Sequence, residues 1–287
     1  NACREDRRKP GQRGSGVAVR GGIPLIAYVF WLGLGSGLVM LVLSLLFRVP
    51  PRVGIAHLKC FAVTGTTGFA IPYIIVAVVL DHNLPTGIMS MIVALAPLMT
   101  YLGAVIFGLE RAWWLRFLGL VIGIAGIVLI VAPDSSLPSP DFVVWVLIAL
   151  LVPLGYATTT IAAALMRPPA MDSLSFSAGF FLAPLPILAI AMFARGDLWA
   201  FSGSFEDAEW ALLLSMAVQS LGIYLFLELV MLMGPVFFTT VNFITPLTGI
   251  LFGMAFFDEK LSLWVLVALV PLFLGLLLVI VPRKNHQ

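Results

Sequence analysis

Long apolar stretches, separated by short polar connections, follow one another from residue 22 almost to the end of the chain. Each stretch is long enough for an α-helix to cross the roughly 30 Å of hydrocarbon in a bilayer. Backbone groups in lipid must find their hydrogen bonds within their own segment, so the pattern predicts helices. The nine predicted spans are 23–47, 57–80, 85–108, 114–132, 142–165, 173–193, 209–232, 235–257 and 262–281.

The composition favours the same interpretation. Of the 287 residues, 61% are hydrophobic and 10% are charged, whereas a soluble domain carries about 25% charged residues. A single water-soluble core of this length would be at the size where such cores stop growing. We therefore expect an all-α membrane protein with the architecture of a polytopic helical bundle. The lipid bilayer is one of its expected partners.

The basic residues are unevenly distributed. Segment 1–21 is polar and basic and has no apolar run of a signal peptide, so it is predicted to be a disordered basic tail. Lys and Arg collect on the cytoplasmic side of membrane proteins, and their distribution here predicts a cytoplasmic C-terminus. The basic residues assigned to that side are Arg48, Arg52, Lys59, Arg111, Arg116, Arg167, Arg283 and Lys284.

The number of spans determines on which side of the membrane the basic tail lies. With nine spans and a cytoplasmic C-terminus, segment 1–21 would lie outside the cell, against the same charge rule. A further helix before Gly22 would place both termini inside. We therefore expect that a first helix is missing from this sequence. The alternative is that the short tail is simply translocated.

A pair of helices near the C-terminus repeats an earlier pair at a constant offset of 149 positions. The second copy begins five spans after the first, an odd number, so it crosses the membrane in the opposite direction, as in transporters built from inverted halves. The alternative is chance similarity between apolar helices. The matching residues are Pro97 with Pro246, Glu110 with Glu259, Gly126 with Gly275, and Pro133 with Pro282.

These residues resemble the EamA-like repeats of the drug/metabolite transporter superfamily. The resemblance implies a ten-helix fold of five plus five inverted helices, nine of them present here. The first repeat, 22–133, would hold four spans and lack its first helix, and the second, 141–283, would hold five. The motifs are Leu84-Pro-Thr-Gly87, Ala96-Pro97-Leu98, Leu109-Glu110-Arg111 and Gly119 to Pro133 in the first repeat, and Thr245-Pro246-Leu247, Asp258-Glu259-Lys260 and Gly275 in the second.

The resemblance also implies a function. It indicates a secondary-active or facilitative transporter that exports small organic metabolites by alternating access, in the bacterial inner membrane. Many relatives carry an arginine early in the second helix, where this chain has Tyr28-Val-Phe-Trp31. The alternative function is a non-transporting membrane sensor or scaffold, or an inactive truncated fragment of such a transporter.

Polar side chains within the spans are candidates for solute binding, because they are costly in lipid and face protein or water. Glu228 is the strongest candidate, for solute binding or proton coupling. It shares a helix face with Ser220 and Tyr224, and Gln219 lies beside that face. The alternative is that Glu228 reaches out to water or pairs with Arg167.

A second polar stripe contains Thr239, Asn242 and Thr245, and Ser90 lies in the matching part of the first repeat. Asn242 could hydrogen-bond a solute. The alternative is that this stripe serves helix packing, in which polar and small residues link neighbouring membrane helices. Ser90, Asn242 and Thr245 are therefore predicted to line a cavity, with packing as the competing role.

Residues close to proline or glycine form a third group. Tyr73 follows Pro72, and Tyr156 follows Gly155; a kink there would open the helix beside each ring. Both tyrosines are predicted to line the cavity, and packing or an interfacial position is the alternative. The helix-end and kink positions Pro97, Glu110, Pro246 and Glu259 are predicted to be structural, the glutamates by capping the next helix.

The sequence has no catalytic signature, metal-ligand cluster or cofactor motif, so we do not expect an enzyme, a metal or a cofactor. The basic tail has no interleaved aromatic residues, which argues against a nucleic-acid partner. The expected partner is a small-molecule solute, with proton coupling left open. Gly119 and Gly123 have the GxxxG spacing of packed helices, and a homodimer is left open as well.

Overall fold

The computed structural model of the chain describes residues 22–82, 84–131, 142–201, 207–233, 244–257 and 263–280. All regular secondary structure within these ranges is helical. The α-helices are α1 (Leu25–Leu46), α2 (Ile55–Gly65), α3 (Ile71–Asp81), α4 (Thr86–Val93), α5 (Ala96–Ile106), α6 (Trp114–Val131), α7 (Phe142–Ala149), α8 (Leu151–Met166), α9 (Ser173–Leu182), α10 (Leu185–Arg195), α11 (Asp207–Met233), α12 (Ile244–Phe257) and α13 (Leu263–Ile280). A π-helical turn, Thr66–Ala70, joins α2 to α3.

The chain is a multi-pass membrane protein, and helices lie within each of the nine predicted apolar stretches. Six segments of the described chain are long and apolar enough to span a bilayer: Leu25–Leu46, Ile55–Leu80, Thr86–Ile106, Val143–Met166, Ser173–Arg195 and Asp207–Leu232. Three further apolar helices are shorter over the described residues, so the number of crossings stays a prediction.

Several of these spans are interrupted near their middle. A turn separates α4 from α5, and Pro97 is the second residue of α5. Pro72 holds the same position in α3, directly after the π turn. Proline has no backbone N–H and clashes with the preceding turn, which explains a local break at these points. Pro246 is the third residue of α12.

Two apolar clusters hold the bundle together. The first lies around α1 and α9 and contains the fully buried rings of Phe69, Phe176 and Phe181. The second lies around α4, α5 and α13. Large apolar side chains such as Val42 and Phe193 are exposed on the outside of the bundle, as expected where lipid takes the place of water.

Glycines on both sides bring α6 and α13 close together. A Cβ added to Gly275 would lie 2.5 Å from the Gly119 carbonyl oxygen and 2.7 Å from the Gly123 backbone nitrogen. A Cβ added to Gly126 would lie 3.1 Å from the Ala268 oxygen and 3.2 Å from the Leu272 nitrogen. Gly119 and Gly123 thus pack within the chain, and only small residues allow the two backbones to approach this closely.

The two sets of contacts are equivalent under the offset of 149. Gly275 is the counterpart of Gly126, and its contact atoms belong to the counterparts of Ala268 and Leu272. Because residue numbers rise along one helix as they fall along the other, the two helices cross antiparallel. Shifting the bounds of α1 by 149 gives 174–195, which agrees to within one residue with α9 and α10 taken together (Ser173 to Arg195).

Replacing Gly275 with Ala should destabilise the protein by about 1–3 kcal/mol, the usual cost of overpacking. The added methyl group would meet the rigid backbone of α6 rather than a flexible side chain. Thermal unfolding in detergent measures the effect. Gly222→Ala is the matched control, since its Cβ would meet nothing within 4 Å. Equal unfolding temperatures for both variants would contradict the close crossing.

Candidate functional site

A cavity of about 200 Å³ lies inside the bundle, where α3, α5, α8, α9 and α11 meet the π turn. Its walls come from five separate segments, so it depends on the packing of spans that are distant in sequence. The lining residues are Gly68, Tyr73, Ala96, Pro97, Thr100, Tyr156, Thr159, Thr160, Phe180, Gln219, Ile223 and Phe226.

Threonine hydroxyls organise the wall beside the π turn. The Oγ1 atoms of Thr67 and Thr159 are hydrogen-bonded at 2.8 Å, and Thr159 also donates to the Thr64 carbonyl at 3.3 Å. Thr67 in turn reaches the Val63 carbonyl at 2.8 Å. A π turn displaces the ordinary helical ladder, and such turns are frequent at functional sites. Here the hydroxyls tie the irregular turn to α8.

Glycine residues allow α8 and the π turn to approach each other closely. A Cβ added to Gly155 of α8 would lie 2.5 Å from the Thr67 carbonyl oxygen. A Cβ added to Gly68 would lie 2.6 Å from Thr159 Oγ1, and Gly68 itself faces the cavity. Larger residues at either position would separate α8 from the π turn and change the shape of this wall.

Aromatic hydroxyls and one amide form the most polar part of the cavity. The Tyr73 hydroxyl is close enough to the Gln219 side chain, and to the hydroxyls of Tyr28 and Tyr156, to interact with them electrostatically. The Tyr73 ring packs on the buried Phe69 ring, with centroids 4.8 Å apart. This packing fixes the ring and directs its polar end.

The lining residues carry no carboxylate and no basic side chain. Hydroxyl and amide groups can donate and accept hydrogen bonds, and the remaining wall is aromatic or aliphatic. Neutral hydrogen bonds are therefore the polar interactions that these lining residues can make. Within the described ranges, no group of three or more His, Cys, Asp or Glu residues is placed to hold a metal ion.

The structure brings Tyr73, Tyr156 and Gln219 together in this cavity, with Pro97 beside them. On α11 the lining face runs through Gln219, Ile223 and Phe226. It is therefore one position away from the predicted stripe of Ser220, Tyr224 and Glu228.

The other predicted cavity residues lie elsewhere or outside the described residues. Ser90 donates to the Gly87 carbonyl at 2.7 Å and packs directly against Gly249 of α12. Tyr224 is half-buried against the first apolar cluster. The Thr245 carbonyl accepts a hydrogen bond from the Thr248 hydroxyl at 3.0 Å. Asn242 lies outside the described residues.

Glu228 lies near the end of α11, beside Arg167 in the connection between α8 and α9. Burial lowers the pKa of the Arg167 guanidinium, while the neighbouring Glu228 and Asp172 carboxylates act in the opposite direction. Arg167 also donates to the Met171 carbonyl at 2.6 Å and to the Leu227 carbonyl at 3.5 Å. The arginine therefore links the α8–α9 connection to α11.

Glu110 takes part in an ion pair at the start of α6. Its Oε2 lies 3.1 Å from Arg116 Nη1, and the Arg116 guanidinium lies over the Tyr101 ring, 5.5 Å from its centroid. The Tyr101 hydroxyl accepts a hydrogen bond from the Trp113 backbone at 2.9 Å. This helix-end contact is to a side chain, unlike the backbone capping that was predicted. Glu259 lies outside the described residues.

Sequence reasoning missed most of the wall beside the π turn, including Gly68, Thr159, Thr160 and Phe180. A signal was present, since Thr158 to Thr160 is a run of three hydroxyl residues within an apolar span. Threonines in membrane helices commonly bond to their own helix, as Thr158 does to the Leu154 carbonyl. The run alone therefore did not identify which hydroxyl faces the cavity.

Comparisons with known proteins agree with the helical architecture. The sequence model of the EamA-like transporter family matches residues 15–132 and again residues 143–281. A solved structure, described only as "Crystal structure of protein", matches with a TM-score of 0.62 and 18% identity over 94% of this chain and 93% of that chain. At this identity the likeness concerns the fold alone. No curated protein matches the chain.

Replacing Thr159 with Val should destabilise the protein by about 1 kcal/mol, because it removes hydroxyl contacts between α8 and the π turn while keeping the side-chain shape. Equilibrium unfolding in detergent measures the change. Thr158→Val is the control, since its hydroxyl bonds only within α8 on the exposed side. A loss as large in the control as in Thr159→Val would contradict the role given to Thr159.

Proposed function

We propose that this chain, which belongs to the EamA-like transporter family, carries a small organic solute across the membrane by alternating access. The observation that carries the proposal is the cavity enclosed by five helices and the π turn, with Tyr73, Tyr156 and Gln219 on its wall. Polar side chains within apolar spans are costly unless protein groups, water or a ligand meet them.

The chemistry of the wall supports a neutral polar solute. Gln219 and the tyrosine hydroxyls would bind its hydrogen-bonding groups, and Phe180 and Phe226 would pack against its apolar part. The volume of about 200 Å³ lies below the roughly 300–1,000 Å³ of most ligand pockets. The solute is therefore small, and binding would not depend on a charge.

Alternating access is supported by the equivalence of the α6 and α13 contacts. Two helices related by a two-fold axis in the membrane plane cross antiparallel and exchange equivalent contacts, as Gly126 and Gly275 do. We take this as support for two inverted halves, 22–133 and 141–283, within a five-plus-five fold. Inverted halves provide two related states, open to opposite sides, around one site.

Arg167 and Glu228 suit the role of a latch between α8 and α11 at one end of the bundle. The guanidinium contacts the α8–α9 connection and the Leu227 carbonyl, so opening this end between α8 and α11 would separate these groups. Protonation of Glu228 would remove its attraction to Arg167 and favour opening. This placement supports the pairing interpretation of Glu228 over direct solute binding, and it provides a route for proton coupling.

The proposed orientation of the protein in the membrane rests on the distribution of its basic residues and on its family. Arg48, Arg52 and Arg167 lie at the same end of the bundle, and basic residues collect on the cytoplasmic side. We therefore propose that the latch faces the cytoplasm, that the C-terminus lies there too, and that the membrane is the bacterial inner membrane. Export is the proposed direction.

Gln219→Leu should weaken the apparent affinity for the transported solute by roughly five- to tenfold, the effect of losing a neutral hydrogen bond. The measurement is flux of a panel of small neutral and charged solutes in proteoliposomes. Thr158→Val, which lies outside the cavity, is the control and should transport normally. If the parent protein moves no solute of the panel, the sensor or scaffold function is favoured and the transporter proposal fails.

Glu228→Gln should flatten the dependence of the transport rate on pH, because the amide cannot change its charge. The rate is measured in proteoliposomes over a range of internal and external pH values. Glu110→Gln is the matched control, since Glu110 pairs with Arg116 at another helix end. An unchanged pH profile in Glu228→Gln, with a rate like that of the parent, would exclude Glu228 from coupling.

A further inference from the structure

A second concavity, of about 230 Å³, opens at the end of the bundle that carries Arg167. One side is formed by the α1–α2 connection and the start of α2, and the other by the α8–α9 connection and the first residues of α9. It does not share a lining residue with the solute cavity. We call it the basic pocket, and its lining residues are Arg48, Val49, Pro50, Arg52, His57, Ala170, Met171, Asp172 and Ser175.

The charged groups facing the pocket are unequal in number. Arg48 and Arg52 are exposed, and neither side chain has a hydrogen bond or ion pair within the described part of the chain. The opposing carboxylate, Asp172, accepts the Leu174 backbone N–H at 2.8 Å as the N-cap of α9. Two guanidinium groups, His57 and the positive end of α9 thus face one carboxylate that is already engaged.

The backbone holds one of these arginines in an unusual conformation. Arg48 has a φ of 60°, in the left-handed region that usually takes glycine after a helix. The turn is fixed by Val49 N–H donating to the Ser44 carbonyl at 2.8 Å and Arg48 N–H to the Leu45 carbonyl at 3.1 Å. A residue with a Cβ is disfavoured in this conformation. The hydrogen-bonded turn fixes the backbone position from which the positively charged Arg48 side chain extends.

Apolar side chains border the pocket on the outer side of the bundle. Leu46 and Phe47 precede Arg48, and Val53 and Ile55 follow Arg52; each is about 70–80% exposed. A small soluble anion would make no contact with these exposed apolar side chains. A lipid would contact them, because its acyl chains lie beside its headgroup.

We propose that the basic pocket binds the phosphate headgroup of an anionic phospholipid. The guanidinium groups of Arg48 and Arg52 donate hydrogen bonds to the phosphate oxygens, for which their planar fork is suited. The acyl chains pack along Leu46, Phe47 and Ile55. Basic pockets between membrane helices are known places for such headgroups. The competing occupant is water alone, with the arginines serving only the charge rule for orientation.

The experiment compares the full chain with the variant Arg48→Gln/Arg52→Gln in neutral detergent. Each protein is titrated with phosphatidylglycerol and, separately, with phosphatidylcholine, and the shift in unfolding temperature and the number of lipids retained in native mass spectra are measured. We expect phosphatidylglycerol to stabilise the parent more than phosphatidylcholine does. The double variant should bind phosphatidylglycerol roughly thirtyfold more weakly, as expected for two basic residues near a lipid phosphate.

Two controls make the outcome decisive. Arg111→Gln removes an exposed basic residue outside the pocket and should respond to phosphatidylglycerol as the parent does. Arg48→Lys/Arg52→Lys keeps the charge and should keep part of the response, which decides the matter if the glutamine variant folds poorly. An equal response to both lipids, or an undiminished response in the glutamine variant, would overturn the proposal. A shift of the same size with soluble glycerol phosphate would replace the lipid with a free anion.

Discussion

A backbone surrounded by lipid has no water to bond with, and this constraint determines where the chain can be irregular. The π turn Thr66–Ala70 is such a place. It lies inside the bundle, where Thr67 and Thr159 hydroxyls supply partners and Gly155 allows α8 to approach. The cavity lies beside this turn, and Thr159, whose hydroxyl bonds to the irregular backbone, also lines it.

Much of the fold could be predicted from the length of the apolar runs, because a run of about 20 residues has few options in a bilayer. Tyr73, Tyr156 and Gln219 were predicted as cavity residues for a related reason, since polar groups in apolar spans must face protein or water, and all three line the cavity described here. Gly68 and Thr159 were not predicted, because their place on the wall depends on how the π turn packs against α8, and the run Thr158 to Thr160 does not by itself indicate which hydroxyl faces the cavity.

Small residues contribute differently in the two parts of the molecule. At the crossing of α6 and α13, Gly119, Gly126 and Gly275 bring two backbones together and form no cavity. Beside the π turn, Gly68 leaves space that the cavity occupies. A GxxxG spacing therefore indicates close approach without saying to what, and here Gly119 and Gly123 are occupied within the chain. Any contact between two copies would need another surface.

The connection between α8 and α9 carries the latch arginine, Arg167, and also forms one side of the basic pocket. Arg167 donates to the Met171 carbonyl, and Met171 also lines the basic pocket. The arginine that contacts α11 is thus held by the same short segment that faces Arg48 and Arg52. Opening the bundle between α8 and α11 would move this segment, whereas a headgroup bound between it and the α1–α2 connection would hold it in place. An anionic lipid in the basic pocket would therefore favour the closed form of this end.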